Sequence, residues 1–411
     1  MSAEHIQSLS LSSDQLAQEH LPLAAQGLAH LLKGLQTGRL SIHFDDGQSI
    51  HIEGRQSGLH AHWHLHRPAR LLQRVVSSGN IGLAEGYLEG DWSSPDLASL
   101  LHLGALNMDA MLPHLSPGWF QRVVHRIQHL CRPNSKRGSR RNIAAHYDLG
   151  NAFYQLWLDP GMTYSSALYT QEGMSLADAQ EAKYARLLTH LDAHPGQRIL
   201  EIGCGWGGFA EHAARQGFEL KGITLSKEQL AYAQARLHAA GFSSHVQLSL
   251  TDYRDLNEQF DHIVSIEMFE AVGEKYWPDF FTTVYQRLKP GGRAAIQVIV
   301  IDDALFEHYR TEPDYIQLYV FPGGMLPTVE RFKAESVFAG LEVVEHALFG
   351  LDYARTLAEW HERFESQLTS IDALGYDERF KRMWRYYLAY CEAGFRAGRI
   401  DLMQIILQKP I

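Results

Sequence analysis

A doubly wound, mostly parallel α/β sheet preceded by a smaller α+β domain is the fold class predicted for this 411-residue chain. Three observations predict it. From about residue 143, short aliphatic strands alternate with helical stretches, the pattern of a parallel sheet covered by helices. The strand "RILEIG" empties into four glycines within six residues (Gly203, Gly205, Gly207, Gly208) just before the helical "FAEHAARQ". Glycines at such a corner allow positive φ and close approach of a ligand. Before residue 130 the pattern is of another kind, with period-two strands and separate helices.

In chain order, residues 22–36 read as a helix. Leu40, Ile42 and Phe44 then alternate with Ser41 and His43, "DDG" makes a turn, and Ile50 and Ile52 flank His51, which is a hairpin with one apolar face. A third strand sets Leu59, Ala61, Trp63 and Leu65 on one side and His60, His62, His64 and His66 on the other. Four histidines on one face invite a metal, but no carboxylate or cysteine completes a site. The solvated face of an amphipathic strand is the reading adopted, and no metal is assigned. Helices "RLLQRVVSS" and "DLASLLHLG" complete a domain over 1–130. Residues 131–142 carry five basic residues and no acid, and read either as a solvated connector or as a patch drawn to anionic headgroups.

Residues 143–411 form the larger domain. Helix 176–191 precedes "RILEIG", then come helix 209–216, strand "ELKGITL", helix 226–240, strand "VQLSLTD", strand "FDHIVSIEM", helix 275–288 and strand "RAAIQVIVI". An aromatic-rich stretch at 302–328 and a helical tail from about 355 to 397 interrupt the alternation.

Composition narrows the function. A net charge of −10 argues against nucleic acid as the main partner. Cys131, Cys204 and Cys391 lie far apart with no C-x-x-C, so neither zinc nor a disulfide framework is expected, and a reducing cytoplasm suits them. The first residues lack a secretory pattern, and no apolar run reaches the ~20 residues of a membrane span. Membrane contact is therefore expected to be peripheral.

The glycine spacing is not the dinucleotide G-x-G-x-x-G. Glu201, just ahead of Gly203, would repel a phosphate. An acidic strand end suits a ligand carrying an ammonium group, and S-adenosylmethionine fits better than a dinucleotide. Thr224, Ser226 and Gln229 stand at capping-box spacing and also lie beside the corner, where they can meet a ribose. Asp252 and Tyr253 are placed to hold an adenine. Glu267 and Glu270, three apart, sit beneath the crevice.

The motifs "HYDLGNAFYQLWLDPGMTYSSALY", "LEIGCGWGG", "GITLSKEQLAYAQ", "SIEMFEAVGEKYW", "YVFPGGMLPT", "DYARTLAEW" and "YYLAYCEAGFRAG" resemble the cyclopropane fatty acid synthase family, and "GNIGLAEGYLEGDW" resembles its N-terminal domain. The resemblance implies a Rossmann-like, S-adenosylmethionine-dependent methyltransferase acting on the cis double bond of an acyl chain within a phospholipid. It implies cofactor contacts from Tyr164, Ser165, Gly203, Gly205, Thr224, Leu225, Ser226 and Gln229, with Asp252 and Tyr253 framing the adenine. In many members a bound bicarbonate takes the proton lost on ring closure, held by a Cys, a Glu, a His, the backbone at an Ile, and a Tyr. Glu270, Ile299 and Tyr353 match that set. Ser166 replaces the Cys and Gln297 the His, as in the plant-type branch, and both can still hydrogen-bond an anion as neutral donors. Glu270 can act as base directly or through water. The resemblance also points to Cys391 as an active-site residue, although its helical, aromatic neighbours and the lack of a nearby His or Lys describe a packing cysteine.

The expected partner is the phospholipid bilayer at the inner face of the membrane, with the N-terminal domain engaging lipid or forming a homodimer. Three alternatives remain open: the same transfer giving a methyl- or methylene-branched chain, an N- or O-methyltransferase on a small molecule, and a lipid carrier without catalysis.

Overall fold

The computed structural model describes residues 8–12, 32, 34–115 and 149–411. The basic stretch 131–142, with Cys131, and most of the helix expected over 22–36 lie outside the described residues, and residues 34–36 at its expected end are not helical. The chain divides into two compact units, one of Met1–Ile127, Glu312–Tyr315 and Gly375–Arg399, the other of Gln128–Thr311, Ile316–Leu374 and Ile400–Ile411.

The second unit carries a seven-stranded sheet. Its strands are β6 (Arg198–Ile202), β7 (Glu219–Thr224), β8 (Val246–Leu250), β9 (Phe260–Ile266), β10 (Leu288–Ile301), β11 (Glu342–Leu348) and β12 (Ile400–Gln408). They lie in the order β11-β12-β10-β9-β6-β7-β8. From β10 to β8 every pairing is parallel, while β12 runs antiparallel to both β10 and β11. Central strands of such a sheet are covered on both faces and read as continuous apolar runs. One face packs Leu200, Ile202, Ile263 and Ile296 against Phe269, Phe280 and Phe281. The other packs Ile199, Val264, Ala295 and Ile406 against Leu187 and Phe209. The strand order reverses between β6 and β9, so the crevice for a ligand lies beyond the carboxyl ends of these strands. β11, β12 and helix Val329–Phe338 were not anticipated from the sequence.

The first unit is built on β1 (Ser8–Ser12), β2 (Thr37–Phe44), β3 (Ser49–Glu53), β4 (Gln56–Leu65) and β5 (Trp92–Ser93), in the order β1-β3-β2-β4-β5. β2 and β3 form the expected antiparallel hairpin, while β4 joins β2 in parallel. Ala61, Trp63 and Leu65 face the core. On the opposite face Ser41 Oγ contacts His51 Nδ1 at 2.6 Å and His60 Nε2 at 2.8 Å, and His43 meets His62 at 3.1 Å. Among the described residues no group of three or more His, Cys, Asp or Glu side chains is arranged to hold a metal.

The larger domain expected over 143–411 is not one continuous unit. Helix Glu378–Arg396 groups with the N-terminal residues, burying Trp384, Tyr386 and Tyr387. Its amphipathic pattern announces a buried face but not which unit covers it. Tyr386 lies 5.6 Å from Tyr87 between ring centroids, and the Arg382 guanidinium sits 4.3 Å from the Tyr87 ring centre. Aromatic contacts of this kind recruit the helix.

Candidate active site

The glycine corner at the end of β6 is shaped by its backbone. Gly203, Gly205 and Gly207 have φ of +87°, +50° and +83°. The amides of Gly203 and Cys204 both donate to the Ile223 carbonyl, at 2.9 and 3.0 Å, tying the corner to the end of β7. A Cβ on Gly203 would lie 2.9 Å from Met268 Cγ, whereas one on Gly205 would meet nothing within 4 Å. Gly205 thus faces open space beside the crevice.

At the end of β7, Ser226 Oγ accepts from the Gln229 amide at 3.2 Å and caps helix Lys227–Ala239. Thr224 Oγ1 accepts from the Ser226 amide and donates to Gln229 Oε1, both at 3.1 Å. Leu225 lies between them, half-buried. At the end of β8 both Asp252 carboxylate oxygens meet Arg254, through Nε at 2.8 Å and Nη2 at 2.7 Å. Tyr253 is buried edge-on against Phe280. Arg254 must therefore share Asp252 with any adenine amino group.

Glu201 in β6 is buried and its Oε2 has no hydrogen-bond partner; burial pushes its carboxyl up to about 8. An orphaned acidic oxygen at this strand fits a ligand that brings an ammonium group. Tyr164 stacks among Tyr154, Trp157 and Trp360, at centroid distances of 5.4, 5.5 and 5.4 Å. Ser165 Oγ accepts from the buried Lys183 ammonium at 2.7 Å. Burial pushes that lysine down to about 7 against the pull of Glu267, Asp159 and Glu201.

The ends of β9 and β10 present a different chemistry. Glu267 follows β9 with φ of +48°, in the left-handed region. That region costs a non-glycine residue roughly 1–2 kcal/mol, and such strain persists where the surroundings hold it. Three donors hold the Glu267 carboxylate. Oε1 accepts from the Ser166 amide at 2.8 Å and from Gln297 Nε2 at 2.7 Å, and Oε2 accepts from the Tyr353 hydroxyl at 2.6 Å. Burial raises this carboxyl, opposed by those donors and by Lys183. Gln297 is oriented in turn, because its Oε1 accepts from Gln404 Nε2 at 2.8 Å and Gln404 Oε1 accepts from Arg186 Nε at 3.0 Å.

Glu270 has one donor, the Ile299 amide at 2.6 Å to Oε1, and its buried Oε2 has no partner. Burial and the neighbouring Glu267 push its carboxyl up to about 8. Its carbonyl accepts from the Met325 amide at 2.9 Å, which seats the "FPGGM" segment on it.

The structure therefore brings Ser166, Gln297, Ile299, Glu270 and Tyr353 around one pair of carboxylates. Ser166 takes part through its amide, whereas its hydroxyl proton is committed to the Ala167 carbonyl at 2.9 Å. Gln297 does donate to an anion, but that anion is a side chain of the protein. Cys391 is not among these residues. It sits on helix Glu378–Arg396 of the other unit, partly buried, with burial and Asp314 pushing its thiol up. That is no setting for a nucleophile. The sequence reading saw Glu267 only as one of two nearby carboxylates and missed Lys183, Gln404 and Arg186. No local pattern marks them, since each acts on a residue from another element.

Comparison with known proteins gives the family. The family described as mycolic acid cyclopropane synthetase matches residues 134–405. The tuberculostearic acid methyltransferase of Mycobacterium tuberculosis is 40% identical over 83% of this chain and 81% of its own length. The cyclopropane-fatty-acyl-phospholipid synthase of Escherichia coli K12 is 37% identical over 82% of this chain and 86% of its own. Among solved structures, the M. tuberculosis cyclopropane synthase MmaA2 aligns with a TM-score of 0.62 at 32% identity, covering 66% of this chain and 98% of its own. The mycolic acid cyclopropane synthase CmaA1 in complex with SAH and CTAB aligns with the same TM-score at 30% identity and the same coverage. The doubly wound sheet with its glycine corner is thus the fold of S-adenosylmethionine-dependent methyltransferases, and the chain belongs to the mycolic acid cyclopropane synthetase family.

Proposed function

We propose that this protein transfers the methyl carbon of S-adenosylmethionine to the cis double bond of an acyl chain within a phospholipid and closes a cyclopropane ring. The observation that carries the reading is the partly buried Glu267–Glu270 pair with Tyr353, set beside the glycine corner. The 37% identity to the E. coli phospholipid enzyme, across most of both chains, supports the substrate class.

S-adenosylmethionine supplies an electrophilic methyl group, so the alkene itself is the nucleophile and the protein needs none. The glycine corner, Tyr164, Ser165 and the Thr224–Gln229 cap hold the donor, with Asp252 and Tyr253 at its adenine. The charged member of the carboxyl pair faces the positive charge that develops on the acyl chain, and a preorganised charge of this kind stabilises it strongly. The Tyr353 ring adds a cation-stabilising face. One of the carboxylates then takes the proton from the added methyl.

A bilayer substrate asks for a peripheral protein at the cytoplasmic face of the membrane, with the N-terminal unit engaging lipid or pairing two copies. Among the described residues no helix is long and apolar enough to cross a membrane. A second reading, a methyl- or methylene-branched product, is favoured by the 40% identity to a tuberculostearic acid methyltransferase. It differs only in the position from which the proton leaves.

Incubation with S-adenosylmethionine and vesicles of a monounsaturated phospholipid tests both. A one-carbon gain in acyl mass with loss of the alkene and cyclopropyl proton signals supports the ring. A one-carbon gain with a methylene or branched methyl establishes the second reading. Unmodified acyl chains, with methyl transfer to soluble amines or phenols, would reject the lipid substrate.

A further inference from the structure

Glu267 is the more heavily bonded carboxylate of the Glu267–Glu270 pair, and its donors come from three distant stretches of chain. The Ser166 amide, the Gln297 amide group and the Tyr353 hydroxyl all point at this one side chain. Gln297 is locked in that orientation by Gln404 and Arg186 behind it. The carboxylate is delivered from a left-handed backbone position where glycine would be at ease. A fold that keeps a strained residue for a partly buried anion has a use for the anion.

The same donors are the ones an exchangeable anion would need. With Glu267 in place they are filled, and a second anion there would meet a like charge as well. We propose that Glu267 is the built-in anion of this site and the acceptor of the proton released on ring closure, so that the reaction proceeds without bicarbonate. This rests on the acyl-methylating function proposed above. In the step, the C–H bond of the added methyl breaks and its electron pair closes the ring onto the cationic carbon. The proton passes to Glu267 Oε2, which carries only the Tyr353 bond and keeps a free lone pair.

The neighbouring Glu270 supports this division. Two carboxyls this strongly coupled titrate as a pair, and the one with more donors holds the charge. Glu267 has three donors and Glu270 one. Glu270 therefore keeps the proton of the resting pair, and Glu267 is the open acceptor.

The test is product formation on phospholipid vesicles in buffer stripped of carbon dioxide, with and without added bicarbonate. Wild-type turnover is expected to be the same in both to within about twofold. Glu267→Gly, which suits the left-handed backbone, is expected to lose turnover by about 10²–10⁴-fold and to regain part of it with bicarbonate or formate. Wild-type turnover that collapses without bicarbonate overturns the proposal and leaves the function intact. Full activity of Glu267→Gly without any added anion does the same. A wild type that modifies no acyl chain under either condition overturns the function and the proposal together.

Discussion

The carboxyl ends of β6, β7 and β8 and those of β9, β10 and β12 flank one crevice but are built from different materials. On the first side the shaping groups are backbone and a helix cap: three glycines at positive φ, two amides sharing the Ile223 carbonyl, and the Ser226 N-cap. On the second side they are buried and half-buried side chains, with a row from Arg186 through Gln404 and Gln297 ending on Glu267, and Tyr353 closing it from another helix. The first side accommodates a ligand whose charges are already present. The second must meet charge that appears only during reaction, which calls for ionisable groups held in a dry site. Binding and proton removal should therefore be separable by substitution.

The largest effect expected is on the reaction side. Tyr353→Phe removes one hydrogen bond to an ionised carboxylate, a contact of about 1.5–3 kcal/mol. Turnover should fall about 10- to 100-fold with donor affinity unchanged, read from acyl-product rates and calorimetry on the same preparation. On the binding side, Gly203→Ala forces a Cβ into a φ of +87° and to within 2.9 Å of Met268 Cγ. A cost of about 1–2 kcal/mol should weaken donor affinity roughly 5- to 30-fold and spare turnover at saturation.

A smaller effect concerns stability. The Glu270 carboxyl titrates near 8 in the fold against 4.5 for an ordinary glutamate. Between those values the folded protein keeps a proton that the unfolded chain has released, so stability falls as pH rises through that window. Glu270→Gln should flatten the fall by on the order of 1 kcal/mol, given its coupling to Glu267. Melting temperatures of both proteins measured from pH 5 to 8 check it, and parallel curves would count against the buried pair.

The same contrast explains what was legible in the amino-acid order. The binding side is local. Gly203 to Gly208, Thr224 to Gln229 and Asp252–Tyr253 each lie within one turn, where glycine conformation and cap spacing leave a signature. The central strands were legible too, because burial on both faces makes their apolar runs continuous. The reaction side joins residues up to 218 positions apart, such as Tyr353 with Glu267, Gln404 with Gln297 and Arg186 with Gln404. No periodicity marks Gln404 inside β12, since its polar side chain sits in an apolar run and is satisfied by Gln297 on a neighbouring strand and Arg186 on a helix. Ser166 shows a further limit: the residue type suggested a hydroxyl donor, while the fold uses the amide. The helix Glu378–Arg396 was assigned to the larger domain for a similar reason, as an amphipathic face does not name the unit that will cover it.

The separation of binding from reaction is tested most directly on Glu267→Gln, which keeps the size of the side chain and removes its charge. S-adenosylhomocysteine is the suitable calorimetric probe because it lacks the sulfonium charge that Glu267 would otherwise attract. Its affinity should stay within about threefold of wild type while acyl-chain turnover falls by about a hundredfold or more. Turnover that persists, or an affinity that falls in step with it, would contradict the account.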